Sequence, residues 1–271
     1  MRLAVSNLAW PRTEDPAVRD RLMAMRVQGL EVAPTVVWPD PLSATRGEVK
    51  AYRLFWESAG LPIVALQAIL FGRSDLVLFR DEETRGVLRD HLVGMMRLGS
   101  ELGAGVLVFG APKNRLVGGL GREEAEVIAL PFFRSLGDEA LRYGVTIGLE
   151  PNPVAYGCDF LTTAQEGLAF VQKVDHPGIR LHLDSGAMHL AGDEPGAAVS
   201  RALPWLCHVH LSEPDLVPIG TGGVDQQAMA DALRQAGYER WVSLEMRSLT
   251  GPRVVEGLAA AVAASLPPLL R

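Results

Sequence analysis

Residues 179–211, IRLHLDSGAMHLAGDEPGAAVSRALPWLCHVHL, hold a strand, a helix and a second strand in that order. Ile179, Leu181 and Leu183 alternate with Arg180, His182 and Asp184, the period of two that marks a strand with two different faces. Pro195 to Leu203 reads as the crossover helix, and Leu206 to Leu211 is a second strand carrying His208 and His210. An acid closes the first strand and a histidine stands at the end of the second, so one βα unit brings two metal-ligand types to one edge.

The same rhythm runs outward in both directions. Strands are expected at Arg2 to Asn7, Gly29 to Pro34, Pro62 to Leu70, Gly105 to Gly110, Val145 to Glu150, Ile179 to Asp184, Leu206 to Leu211 and Trp241 to Glu245. Helices are expected at Asp15 to Arg26, Arg46 to Ala59, Asp81 to Leu102, Glu123 to Tyr143, Thr163 to Val174, Pro195 to Leu203, Asp225 to Ala236 and Pro252 onward. Capping and acidic residues open several of them, and Gly60, Gly103, Gly144 and Gly237 stand where helices should stop. Eight such units fit a (β/α)₈ TIM barrel or an open doubly wound sheet, and the polar residues at the strand ends favour the barrel. With 271 residues and no Ser/Gly-rich linker, the chain reads as one domain over 1–271.

A formal net charge of -6 and a pI of about 5.6 offer no broad attraction to phosphate backbones or anionic lipid, which argues against a nucleic-acid or membrane partner. No secretory h-region and no apolar run of transmembrane length interrupts the chain, and Cys158 and Cys207 follow no disulfide pattern. These features predict a cytoplasmic protein with reduced thiols.

Each of the last four strands ends on a ligand type: Glu150 in VTIGLEPNP, Asp184 in IRLHLDSG, His210 in LCHVHLSEPD and Glu245 in WVSLEMR. They are about one βα unit apart, so a closed barrel sets all four on one rim. Three carboxylates facing one another push each other toward protonation, and a bound divalent cation removes the conflict. Three oxygens and one imidazole suit a fairly hard ion: Mn²⁺ first, then Mg²⁺ or Co²⁺, with Zn²⁺ also accommodated. His182 and His208 lie two residues before their strand's ligand, on the same face, either to orient the ligands or as satisfied core histidines.

Further pocket candidates follow from position. Gln67 lies on the third strand, Lys113 and Asn114 follow the fourth, Asn152 follows Glu150, Glu213 follows His210, and Arg247 follows Glu245. Lys113 and Arg247 are cationic and suited to an anionic substrate group. Trp10, Trp38 and Phe71 stand just past the first three strands, to wall a pocket or to pack loops on helices. Gly110 to Arg122 is Gly-rich and reads as a flexible loop, either a substrate lid or an ordinary connection.

The pattern resembles the xylose isomerase-like superfamily of sugar isomerases and epimerases, which includes endonuclease IV. The resemblance rests on SNLAW, LEPNP, LDSG, HVHL, IGTGGVD with AGYERWVSLEM, and the order Glu, Asp, His, Glu at strand ends. In enzymes similar to D-tagatose 3-epimerase, four such residues hold one metal and the two glutamates exchange protons with the substrate. The resemblance therefore implies Glu150 and Glu245 as an acid/base pair, Asp184 and His210 as ligands only, and a small polyhydroxylated substrate.

That chemistry is a metal-assisted isomerisation or epimerisation of a sugar, polyol or keto-cyclitol. Dehydration of a hydroxy-ketone such as an inosose is the alternative. A phosphodiesterase of the endonuclease IV kind would need a three-zinc cluster, and Gln67, Phe109 and Ala187 stand where extra ligands are wanted. Two departures concern the substrate: Ala187 occupies the His position of a DxxH pattern, with His189 nearby, and Leu216 stands where the epimerases use an Arg. The apolar stretch Val254 to Leu270 is expected either to pack on a second copy, forming a homodimer, or to seal the barrel.

Overall fold

The computed structural model describes residues 1–248 together with 257, 258, 260, 262 and 263. Its strands are β1 (Arg2–Ser6), β2 (Gly29–Val32), β3 (Ile63–Leu66), β4 (Val106–Phe109), β5 (Thr146–Leu149), β6 (Ile179–Asp184), β7 (Leu206–Leu211) and β8 (Trp241–Leu244). All are parallel and pair in chain order, and β8 closes on β1 through Arg2 opposite Trp241 and Val5 opposite Leu244. The sheet is thus a closed eight-stranded barrel, which removes every unpaired strand edge.

Helices α1 (Asp15–Ala24), α2 (Pro34–Val37), α3 (Arg46–Glu57), α4 (Glu82–Leu102), α5 (Arg122–Arg142), α6 (Ala164–Val174), α7 (Ser185–Ala191), α8 (Pro195–Ala202) and α9 (Gln226–Gln235) lie between the strands. Their boundaries follow local chemistry. Thr45 and Glu48 form a reciprocal capping box on α3, Asp81 accepts from the Thr84 amide at 2.6 Å, and α4 stops at Gly103 with φ 87°, a conformation that costs glycine little. A row of edge-to-face rings, Phe109, Phe133, Phe170, Phe160 and Phe79, packs with centroids 5.0 to 5.7 Å apart. Each such pair contributes about 0.5–1.5 kcal/mol beyond area burial.

The structure corrects several expectations. β3 ends at Leu66 rather than Leu70, because Ala68 takes a left-handed φ of 52° and turns the chain outward. Two helices were not legible: the single turn α2, and α7, which starts directly after β6. The segment Gly110 to Arg122 is not a loose loop, since Pro112–Arg115 forms a 3-10 turn with Asn114 and Arg115 buried. The expected helix from Pro252, and with it the contact surface Val254 to Leu270, falls mostly outside the described residues; Leu258 and Val262 are helical and buried. Among the described residues, no helix is long and apolar enough to cross a membrane. Cys158 and Cys207 are both free and buried, and their thiols donate to Phe160 O and Leu181 O.

Candidate active site

The C-terminal ends of the strands surround a cavity of about 540 Å³ lined by Gln67, Glu150, His210 and Glu245 among others. Register explains the convergence. An irregularity between Leu181 and His182 aligns β6 with β7 so that His182 faces His208 and Asp184 faces His210. Nδ1 of His210 then lies 3.2 Å from Oε2 of Glu245 and 4.0 Å from Oδ2 of Asp184, but hydrogen-bonds to neither. Asp184, His210 and Glu245 have ligand atoms within 4.8 Å of one another, and Glu150 makes a similar group with His182 and His210.

The side chains around this point are already held. Oδ1 of Asp184 accepts from the Ala187 amide at 2.6 Å, capping α7, and Oδ2 accepts from Ser212 Oγ at 2.6 Å. Gln67 Nε2 donates to Oε1 of Glu245 at 2.8 Å across the barrel. The Arg115 guanidinium is fully buried and donates to the Glu150 carbonyl at 2.5 Å and to Asn152 Oδ1 at 2.8 Å. Gly110 leaves room for Glu150: a Cβ there would stand 1.5 Å from Oε2.

Electrostatics record the crowding. Burial, reinforced by Asp184, pushes the Glu150 carboxyl up to about 8. Burial, reinforced by Glu245, pushes Asp184 up to about 6. His210 shows the opposite balance, because burial works against its charge but Glu31 and Glu245 outweigh it and hold the imidazolium well above the ordinary range. Acids raised in this way mark a place that lacks positive charge, and Nδ1 of His210, without a hydrogen-bond partner among the described residues, can offer its lone pair there once an ion displaces the ring's proton. The residues present therefore fit a divalent ion bound by Glu150, Asp184, His210 and Glu245.

Glu31, in the interior of β2, escaped the sequence reading. It is fully buried, and both its oxygens lie 3.0 Å from Nε2 of His210, with Oε2 also 3.3 Å from Nε2 of His208. Burial opposes its ionisation, but His210 and His208 hold it well below the usual carboxylate range. His208 also meets Ser243 Oγ at 3.0 Å. His182 is buried, its ring 4.1 Å from that of His210, with neither nitrogen hydrogen-bonded among the described residues; burial keeps it neutral. The only sequence signal for Glu31 was an acid inside the apolar run GLEV.

Other candidates divide by direction. Lys113 and Arg247 are exposed at the cavity's rim, and Phe71 lines it at 72% exposure. Asn152 and Glu213 do not line it. Asn152 is tied to Arg115, and Glu213 accepts from the Gly220 and Val224 amides at 2.8 and 3.0 Å, fastening the loop after β7. Asn114 gives its amide to Arg73 O and Leu76 O. Trp10 and Trp38 belong to the core, Trp10 stacking near Trp56 and donating to Asp15, Trp38 against Tyr52.

Fold and site together define a closed (β/α)₈ barrel with a candidate cation centre at the C-terminal ends of its strands. The family model for the xylose isomerase-like TIM barrel matches residues 26–265, and the chain belongs to that family. It is similar to an L-ribulose 3-epimerase of Mesorhizobium japonicum, 35% identical over 102 residues, 38% of this chain and 34% of that protein. A D-psicose 3-epimerase of Ruminiclostridium cellulolyticum is 34% identical over 85 residues, 31% and 29% of the two chains. These aligned stretches span about a third of the curated relatives. Among solved structures, D-psicose 3-epimerase with D-tagatose from Clostridium cellulolyticum H10 superposes with TM-score 0.82 at 17% identity, covering 99% of both chains. The IolI protein with a zinc atom superposes with TM-score 0.74 at 20% identity, covering 100% of this chain and 97% of that one. At these identities the likeness establishes a shared fold.

Proposed function

We propose that this chain is a divalent-metal-dependent isomerase or epimerase acting on a ketose or related polyol by proton transfer next to a carbonyl. The observation that carries this reading is the approach of Asp184 and Glu245 to Nδ1 of His210 at the floor of the cavity, with Glu150 grouped beside them on His182 and His210. The epimerase names of the curated relatives and the zinc in one structural neighbour support it. Mn²⁺ is the expected ion, with Mg²⁺, Co²⁺ and Zn²⁺ suited to the same donors.

When bound, the ion would stabilise negative charge on the oxygens flanking the reacting carbon. The chain's residues perform the remaining work. Glu150 and Glu245 both line the cavity, so one carboxylate removes the proton from carbon and the other returns one. Gln67 holds Oε1 of Glu245 and so directs Oε2 inward, while Arg115 fixes the backbone of Glu150. Asp184, with both oxygens hydrogen-bonded, serves as a fixed ligand rather than a proton carrier. The three possible ligand groups among the described residues all share His210, which favours one ion over the cluster a phosphodiesterase needs.

The test is elemental analysis of metal per chain combined with solvent deuterium exchange on a panel of ketoses and inososes. One ion per chain and deuterium entering a carbon-bound position without loss of water are expected. Three zincs, or release of water from every substrate that exchanges, would overturn the assignment.

A further inference from the structure

Proton transfer uses only the floor of the cavity, and the walls above it are apolar. Ile69, Leu70 and Phe71 follow β3, Val108 comes from β4, Leu8 follows β1, and Leu216 follows β7. Of the polar groups among the described lining residues, Gln67 holds Glu245, the Asn114 amide holds Arg73 O and Leu76 O, and Lys113 and Arg247 stand exposed at the rim, outside the apolar wall. A sugar hydroxyl pressed on such a wall loses its water and gains no partner, weakening binding by about tenfold. An apolar substituent placed there strengthens binding by about fourfold per buried methylene.

The backbone is strained to build these walls. Ala68 and Leu216 line the cavity from different sides with φ of 52° and 55°, in the left-handed region that residues bearing a Cβ seldom adopt. Leu216 is held there by its amide on Glu213 O at 2.9 Å and by the Arg247 amide on its own carbonyl at 2.8 Å. The cavity, about 540 Å³, falls within the roughly 300–1,000 Å³ typical of sites for drug-sized ligands.

Resting on the proton-transfer reading for the polar end, we infer that the substrate is a keto-sugar bearing an apolar substituent, an O-linked alkyl or aryl group, on carbons remote from the exchanged C–H. That substituent lies between the Ile69 to Phe71 wall and Leu216, while the free hydroxyls stay near the floor.

The test uses metal-loaded protein with D-psicose, its 6-deoxy analogue, its 6-O-benzyl ether and its 6-carboxylate, following calorimetric binding and solvent deuterium exchange in parallel. The benzyl ether should bind at least about 50-fold more tightly than D-psicose, with the 6-deoxy sugar between them. Phe71→Ser, at an exposed position that does not support the fold, and Leu216→Ser should each shrink the benzyl-to-parent ratio by about tenfold. Equal affinity for ether and parent, a preference for the carboxylate, or ratios unmoved by both variants would overturn the inference, even with exchange intact. A benzyl preference in binding without exchange on any compound would sustain it and overturn the proton-transfer reading instead.

Discussion

The second half of the barrel carries Glu150, Asp184, His210 and Glu245 at or just past the C-terminal ends of β5 to β8, whereas the first half brings Leu8, Ile69, Leu70, Phe71 and Val108 to the same cavity. One half supplies the buried charge, and the other supplies most of the apolar wall, which Leu216 completes. Side chains cross between them: Glu31 reaches from β2 to His210, Gln67 from the end of β3 to Glu245, and Arg115 from the connection after β4 to the Glu150 carbonyl. The charged half is thus positioned partly from outside itself.

The largest expected effect comes from breaking the charged half at Glu150, the proposed proton carrier. Glu150→Gln keeps size and hydrogen-bonding capacity but cannot accept the proton, so deuterium exchange should fall by about 10² to 10⁴ while circular dichroism is unchanged. Exchange within threefold of wild type would remove Glu150 from the chemistry. Gly110→Ala acts from the other half of the barrel, with a Cβ 1.5 Å from Oε2 of Glu150. Displacing that carboxylate by even an ångström should cost about 10² in kcat, read in the same exchange assay.

Glu31→Gln sharpens the comparison by cutting the crossing contact. A neutral amide carries no charge to set against His210 and offers one acceptor oxygen in place of two, so metal affinity measured by chelator competition should drop about 10- to 100-fold. Unchanged affinity with the fold intact would confine Glu31 to packing.

The smallest effect belongs to the apolar half. Buried His91 faces Ile69 O at 2.9 Å and Arg73 at 3.2 Å beneath the cavity wall, with Asp75 and Asp40 also near. Burial is the main cause holding its pKa below the ordinary 6.5. The unfolded chain therefore takes up this proton first, and stability present above pH 6.5 is lost as pH falls from 6.5 toward the lower folded value. Protection of the Phe71 and Arg73 amides against hydrogen exchange, relative to the intrinsic rate at each pH, should fall modestly as pH drops through that window in wild type and not in His91→Gln.

The legible part of the molecule is the part that repeats. Eight βα units and four ligand types at strand ends follow from periodicity and spacing; in the structure Asp184, His210 and Glu245 form one group and Glu150 joins His210 in another. What stayed hidden depends on side-chain direction and on partners remote in sequence. Glu31 meets His210 from 179 residues away, and nothing near GLEV announces it. Asn152 and Glu213 stand beside ligands in sequence yet turn away to hold Arg115 and the loop after β7. Helix α7 was illegible because its N-cap is Asp184 itself, which also reads as the end of a strand.

That double duty of Asp184 leaves no spacer between β6 and α7, whereas the chain runs from Gln67 to Asp81 between β3 and α4 and from Gly110 to Gly121 between β4 and α5. An insertion after residue 184 would separate the cap from its helix and the carboxylate from its anchor in one stroke. Diversification of this barrel toward new substrates is thereby channelled into long connections such as these. Among descendants of this chain, segments 67–81 and 110–121 should record changes of diet, while the 184–185 junction keeps its length.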